Sequence, residues 1–180
     1  VSELIAFARA RPGQLNYASS ASGSTPHLAA ELFKTLTGTN LIHVPYRGTG
    51  PAITAIISGE VSVMFMPALA AIPYVQNGRL RALGVTTLER LPALPELPTV
   101  AESGLKGYQS SQWYGVLAPV GTPVTALEIL NGHAARIMQS ADMKERMKNS
   151  GSVAVGSTRQ AFAAHLQSEF TKWAKIIEAS

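Results

Sequence analysis

The chain has 180 residues, 46% of them hydrophobic and 14% charged, the composition of a folded globular protein with no apolar run long enough to cross a bilayer. Lys and Arg outnumber Asp and Glu by 15 to 11, a net charge of +4, but the basic residues are scattered, which excludes a nucleic-acid surface and leaves a mild preference for small anions. The absence of cysteine excludes disulfides, thiolate catalysis and Cys-based zinc sites.

Val1 opens directly into a helical pattern, with Leu4, Ile5, Phe7 and Ala8 on one stripe and Pro12-Gly13 as the stop. A strand is predicted over Leu15 to Ala18, a small-residue loop from Ser19 to Thr25, and a helix from Pro26 to Thr37 closed by Gly38. The alternation continues with strand Leu41 to Val44, helix Ala52 to Ile57, strand Val61 to Phe65, helix Ala68 to Gln76 and strand Arg81 to Val85. Short strands alternating with helical patterns indicate βαβ units and a mainly parallel sheet, an α/β fold.

Leu91 to Pro98 carries three prolines in eight residues and reads as a surface crossing, followed by a short helix near Thr99 to Ser103 and a strand from Gln112 to Ala118. Thr122 is expected to cap a helix opened by Pro123 and running through Gln139. A helix over Ala141 to Lys148, a strand at Val153 to Val155 and a final helix capped by Thr158 complete the chain. Phe162, Leu166, Phe170, Trp173 and Ile177 form one apolar face of that last helix.

The segment Ser19 to Thr25 carries the most chemistry. It follows a predicted parallel strand and leads into a helix start, where free backbone N–H groups, five hydroxyls and the close approach allowed by Gly23 suit an oxyanion such as a carboxylate. A helix cap alone needs fewer hydroxyls. No Lys stands where a Walker loop requires it, and no Gly-x-Gly-x-x-Gly is present, so nucleotide binding is not expected. His27, in the first helical turn, and His43, on a strand, read more readily as satisfied structural residues than as ligand contacts. His133 and His165 lie elsewhere on helices, and no metal or other cofactor is expected. Gly-x-Ser-x-Gly is missing, and Glu3, Glu31, Glu128, Asp142 and Glu169 read as solvated helix faces rather than an acid–base pair. The alternatives are an α/β enzyme half-domain, a hydrolase or transferase acting on an anionic substrate, and an interaction protein using the Leu-Pro segment.

Several segments then match a known family: Gly23 to Leu28 (Gly-Ser-Thr-Pro-His-Leu), His43 to Gly48 (His-Val-Pro-Tyr-Arg-Gly), Ile57 to Phe65, Gly78 to Thr86, Leu97 to Gly104, Ser111 to Pro119 and Phe170 to Ile177. In order and spacing, the chain resembles the TctC or Bug-type solute receptors of tripartite tricarboxylate transporters from Val1 to about Ala179. The resemblance implies a type II periplasmic-binding-protein-like fold. It implies a receptor without turnover, taking a small carboxylate ligand and working with membrane transporter subunits, located in the periplasm.

It further implies that residues 1–110 are the second lobe and that 111–180 return to a first lobe whose N-terminal part, with its export signal, precedes Val1. Carried across, the family's carboxylate clamp falls on Ser20, Ala21, Ser22, Gly23, Ser24 and Thr25, with His27 beside it and Tyr46 near the mouth of the site. Where relatives read Val-Asp-Leu-Met-Phe-Asp, this chain has Val61 to Met66 without either acid. Met66 at the site would disfavour amino-group ligands and favour plain or aromatic carboxylates. The apolar faces of the last helix and of the helix after Pro123 (Leu127, Leu130, Ala134, Ile137, Met138) are expected to be exposed and to draw the chain into a homodimer.

Overall fold

A computed structural model describes residues 1–178 and divides the chain into two units, one from Val1 to Gln112 that resumes at Trp173, the other from Trp113 to Lys172. The first unit begins with α1 (Ser2–Ala10) and then builds a three-stranded parallel sheet in the order β2-β1-β3. Its strands are β1 (Asn16–Ser19), β2 (Ile42–Pro45) and β3 (Val63–Met64). Connecting them are α2 (Thr25–Thr37) and α3 (Thr49–Ser58), and α4 (Ala68–Gln76) follows β3. Gly38 and Gly59 end α2 and α3 at φ +62° and +80°, the left-handed conformation in which glycine carries no Cβ penalty.

Side chains alternate across the sheet, so the register decides which residues meet. Tyr17 pairs with His43 and Val63, while Ala18 pairs with Val44 and Met64. The first set faces the larger core, where Ala8, Leu32, Phe33, Leu41, Val100, Tyr108 and Ile176 pack together. On the opposite face Ala18, Ala52, Ala55 and Val61 are all buried, and three alanines at one contact let α3 lie close on the strands. Tyr108 is fully buried and donates its hydroxyl to the Ala29 carbonyl at 3.0 Å, tying the end of the first unit to α2.

Several expected elements do not form. Arg81 to Val85 contributes a single parallel bridge, Val85 to Thr99, because its backbone bonds go to the Pro-rich crossing: the Val85 amide to the Pro98 carbonyl, and the Val100 amide to the Val85 carbonyl. Thr99 to Ser103 is one turn rather than a helix. Thr99 and Glu102 satisfy each other reciprocally as a capping box, but Gly104 at φ +107° ends the turn at once. Gln112 to Ala118 and Val153 to Val155 do not form strands.

The second unit contains α5 (Val124–Gln139), α6 (Ala141–Asn149) and most of α7 (Arg159–Glu178). Thr122 does not cap α5; its hydroxyl turns back to the Pro119 carbonyl at 2.8 Å. Thr158 does cap α7, accepting from the Ala161 amide at 3.1 Å. Trp113 packs edge-on against Phe162 and His165 and donates to Glu169. A Cβ at Gly115 would run into the Phe162 ring, so a larger residue there requires that ring to move. Of the residues expected on exposed apolar faces, Leu130, Ala134, Ile137, Phe170 and Ile177 are exposed, while Leu127, Met138, Phe162, Leu166 and Trp173 are partly buried. Val116, Leu117 and Val120 are exposed as well, and Ile176 is buried.

Tyr108→Phe removes one buried hydrogen bond while the Ala29 carbonyl stays within a helix, so it should lower the unfolding free energy by about 0.5–1.5 kcal/mol, measured by urea denaturation.

Candidate functional site

Parallel pairing sends the C-terminal ends of all three strands to one edge, so α2, α3 and α4 all begin there. The central strand β1 leads to the loop 19–25, the place where an open parallel sheet ordinarily receives a ligand. The neighbouring turn is tied to it: the Tyr46 amide donates to the Ser19 carbonyl and the Gly48 amide to the Ser20 carbonyl, each at 2.9 Å. None of the three helix starts has a side-chain cap. Their first-turn amides therefore keep their polarity for another acceptor, and the helix dipoles favour an anion there by about 0.3–1 kcal/mol each.

Within the loop, Ala21, Ser22 and Gly23 are exposed, and Ser20, Ser24 and Thr25 are partly exposed. Ser24 occupies the N-cap position of α2, yet its hydroxyl donates backward to the Ala21 carbonyl at 2.7 Å instead of accepting from the helix. The Ser24 amide donates to the same carbonyl. Gly23 takes φ +76°, which folds the loop tightly. The bare turn leaves the Thr25 and His27 amides at the helix start, with Pro26 between them contributing no donor.

Behind the loop lies an ordered polar layer that the sequence did not reveal. The Gly23 amide donates to His27 Nδ1 at 3.1 Å, which fixes the proton of neutral His27 on Nε2, 3.9 Å from Glu31. His27 and His43 have ring centroids 4.2 Å apart, and His43 stacks on Tyr17 at 4.9 Å. Glu31 is buried rather than solvated. It accepts the Tyr17 hydroxyl at 2.5 Å and the Lys34 ammonium on both oxygens at 2.8 Å. Burial alone would raise its pKa, but the hydrogen bonds from Lys34 and Tyr17 outweigh it and hold the carboxyl below its ordinary range. Burial first, and then the bond to Glu31, push the Tyr17 phenol far up. For His43, burial and then the neighbouring His27 hold the ring below the ordinary imidazole range.

Ser19 Oγ and His43 Nε2 stand 2.7 Å apart, the separation of a nucleophile and its base. The chemistry is different, however. Ser19 is fully buried and also reaches the Ala21 carbonyl at 3.0 Å, so the pair ties the loop to the sheet and its hydroxyl is closed to any substrate.

Two other expected site residues lie differently from the loop. Tyr46 starts at the loop edge, but its ring packs into the smaller core and its hydroxyl donates to Glu60 at 2.7 Å. Glu60 borders Asn16 at the far end of β1, so the Tyr46 side chain runs along the sheet, away from the loop edge. Met66 is half-buried between β3 and α4 and belongs to neither core cluster. In the second unit a cavity of about 480 Å³ is bordered by Glu128, Asn131, Thr158 and Arg159. There Thr158 caps α7 and Asn131 donates to the Ser157 carbonyl, while Glu128 shares the lining with Arg159 and Gln160.

The model for the tripartite tricarboxylate transporter family receptor, TctC, matches residues 1–180. A UPF0065 protein from the tcbD-tcbE intergenic region of Pseudomonas sp. strain P51 is 38% identical over 178 residues, covering 98% of this chain and 53% of its own length. Among solved structures, R. palustris Rpa4515 with adipate superposes with a TM-score of 0.89 at 38% identity, covering 99% of this chain and 60% of that one. MatC from Rhodopseudomonas palustris with bound malate gives 0.84 at 29% identity, covering 98% and 61%. The chain thus spans about half the length of the first relative and about six-tenths of the solved chains. The solved relatives include a periplasmic binding protein, BugD, and the family is one of receptors rather than enzymes. The parallel sheet, the loop at its edge and the match along the whole sequence agree: the chain belongs to the TctC family of tripartite tricarboxylate transporter receptors.

Proposed function

We propose that this chain is the carboxylate-binding part of a periplasmic receptor that delivers its ligand to membrane transporter subunits of a tripartite tricarboxylate-type system. The observation that carries this reading is the uncapped start of α2 at the C-terminal end of the central strand, beside a loop of exposed amides and hydroxyls. The loop 20–25 holds the carboxylate through the backbone N–H groups of Ala21, Ser22 and Thr25 and the hydroxyls of Ser22 and Thr25, while Ser24 keeps the turn in shape. In this reading residues 1–110 form the second lobe of the receptor and 111–180 return to the first. The dicarboxylates held by the two Rhodopseudomonas neighbours make adipate and malate the natural probes. Met66, in place of the acid that the family resemblance leads one to expect, offers no partner to an ammonium group, which favours a plain dicarboxylate over an amino acid.

The exposed apolar residues of the second unit support one further partner, a second copy of the chain. Val116, Leu117, Val120, Leu130, Ile137 and Phe170 are all exposed on that unit, and apolar surface of this kind favours burial against another copy. Light scattering on the purified chain should give the mass of a dimer, and a monomer at high concentration would refute this assembly.

Calorimetric titration of adipate tests the site. Ser24→Ala with Thr25→Ala removes the loop tie and a hydroxyl donor to a charged acceptor, a loss of about 1.5–3 kcal/mol, so the affinity should fall at least about tenfold. Unchanged affinity in the double variant would remove the loop from the site.

A further inference from the structure

We infer that His27 is a positioning residue rather than a ligand contact: by accepting the Gly23 amide from behind, it sets the shape in which the loop 20–25 meets an anion. The inference rests on the reading of that loop as the carboxylate site, and it deepens that reading by assigning the layer beneath it.

The loop is held at two points, and each uses one imidazole. At its beginning, Ser19 Oγ is hydrogen-bonded to His43 Nε2 at 2.7 Å and lies 3.0 Å from the Ala21 carbonyl. At its turn, Gly23 in the left-handed region donates its amide to His27 Nδ1. The Ala21 carbonyl also receives the Ser24 amide and hydroxyl, so donors from both ends of the loop converge on one acceptor. The Gly23 amide is therefore turned inward, and the donors left for a ligand are those of the neighbouring residues and of the first turn of α2.

The His27 ring is itself held firmly. It lies against His43, which stacks on the buried Tyr17, and its Nε2 faces Glu31. Glu31 is fixed in turn by the Tyr17 hydroxyl and by Lys34. The titratable and charged groups facing the ring are thus Tyr17 from β1, His43 from β2, and Glu31 and Lys34 from α2. A ring supported on one side by an aromatic stack and on the other by a paired carboxylate has a single usable acceptor, Nδ1, and that atom points at Gly23. A proton on Nδ1 removes the acceptor and releases the turn.

The test uses the 180-residue chain in three forms, wild type, His27→Phe and His27→Gln, with two readouts: amide hydrogen exchange of Gly23 and adipate affinity. Phe keeps the ring and the stack but has no acceptor, whereas Gln at the same helical position can still accept. In the wild type the Gly23 amide should be protected against exchange. His27→Phe should lose that protection, by about tenfold for one hydrogen bond, and lose adipate affinity by a similar factor. His27→Gln should restore both. Unaltered Gly23 protection in His27→Phe overturns the inference, as does an equal loss of affinity in both variants with Gly23 still protected. Should His27→Phe not fold, His27→Ala takes its place, and unaltered Gly23 protection there overturns the inference. Wild type that does not bind adipate while Gly23 follows the expected pattern refutes the ligand assignment and upholds the positioning role.

Discussion

Parallel pairing of three short strands is the constraint on which the site depends. With β1 between β2 and β3 and all three running the same way, each following helix has to begin at the same edge. A helix start carries unsatisfied N–H groups, and most proteins satisfy them with a Ser, Thr, Asp or Asn side chain. Here Ser24 stands in the right place and turns its hydroxyl the other way. The capping energy forgone, typically about 1 kcal/mol, is the cost of leaving the donors free for a ligand.

Beneath that open edge the protein spends several interactions on rigidity. A carboxylate buried at the sheet is costly unless its lone pairs are filled, and Glu31 is filled by the Tyr17 hydroxyl and both contacts from Lys34. The pair of imidazoles rests on this network and reaches up to Ser19 and Gly23. In the proposed reading, loop shape is thereby decided by groups beneath the loop rather than by those offered to the ligand. A site built this way binds through geometry fixed beforehand, which reduces the ordering that binding would otherwise require.

Much of this was legible in the residues. The strand, small polar loop and helix around Ser19 to Thr37, with Gly38 as terminator, follow from local turn chemistry and helical periodicity, and α4 was bounded correctly by Gln76 and the Asn77-Gly78 stop. What escaped was decided by partners distant in sequence. Glu31 reads as solvated because nothing local shows that Tyr17, fourteen residues earlier, faces it across a sheet layer. The i,i+3 pairing with Lys34 was the available signal, and it does not distinguish a surface pair from a buried one. Tyr46 was expected near the mouth of the site, yet its hydroxyl is engaged by Glu60 at the other end of the sheet. The segment near Gln112 has strand composition and forms no strand, and composition carries no information about neighbours.

The central claim is that an anion sits on the loop at the edge of the sheet. Titrating adipate into isotope-labelled protein and following backbone amide resonances tests it most directly. The account predicts saturable shifts concentrated at Ala21, Ser22, Thr25 and His27, with the amides around Glu128, Asn131 and Arg159 unmoved. Shifts confined to those residues of the second-unit cavity, with the loop silent, would contradict it.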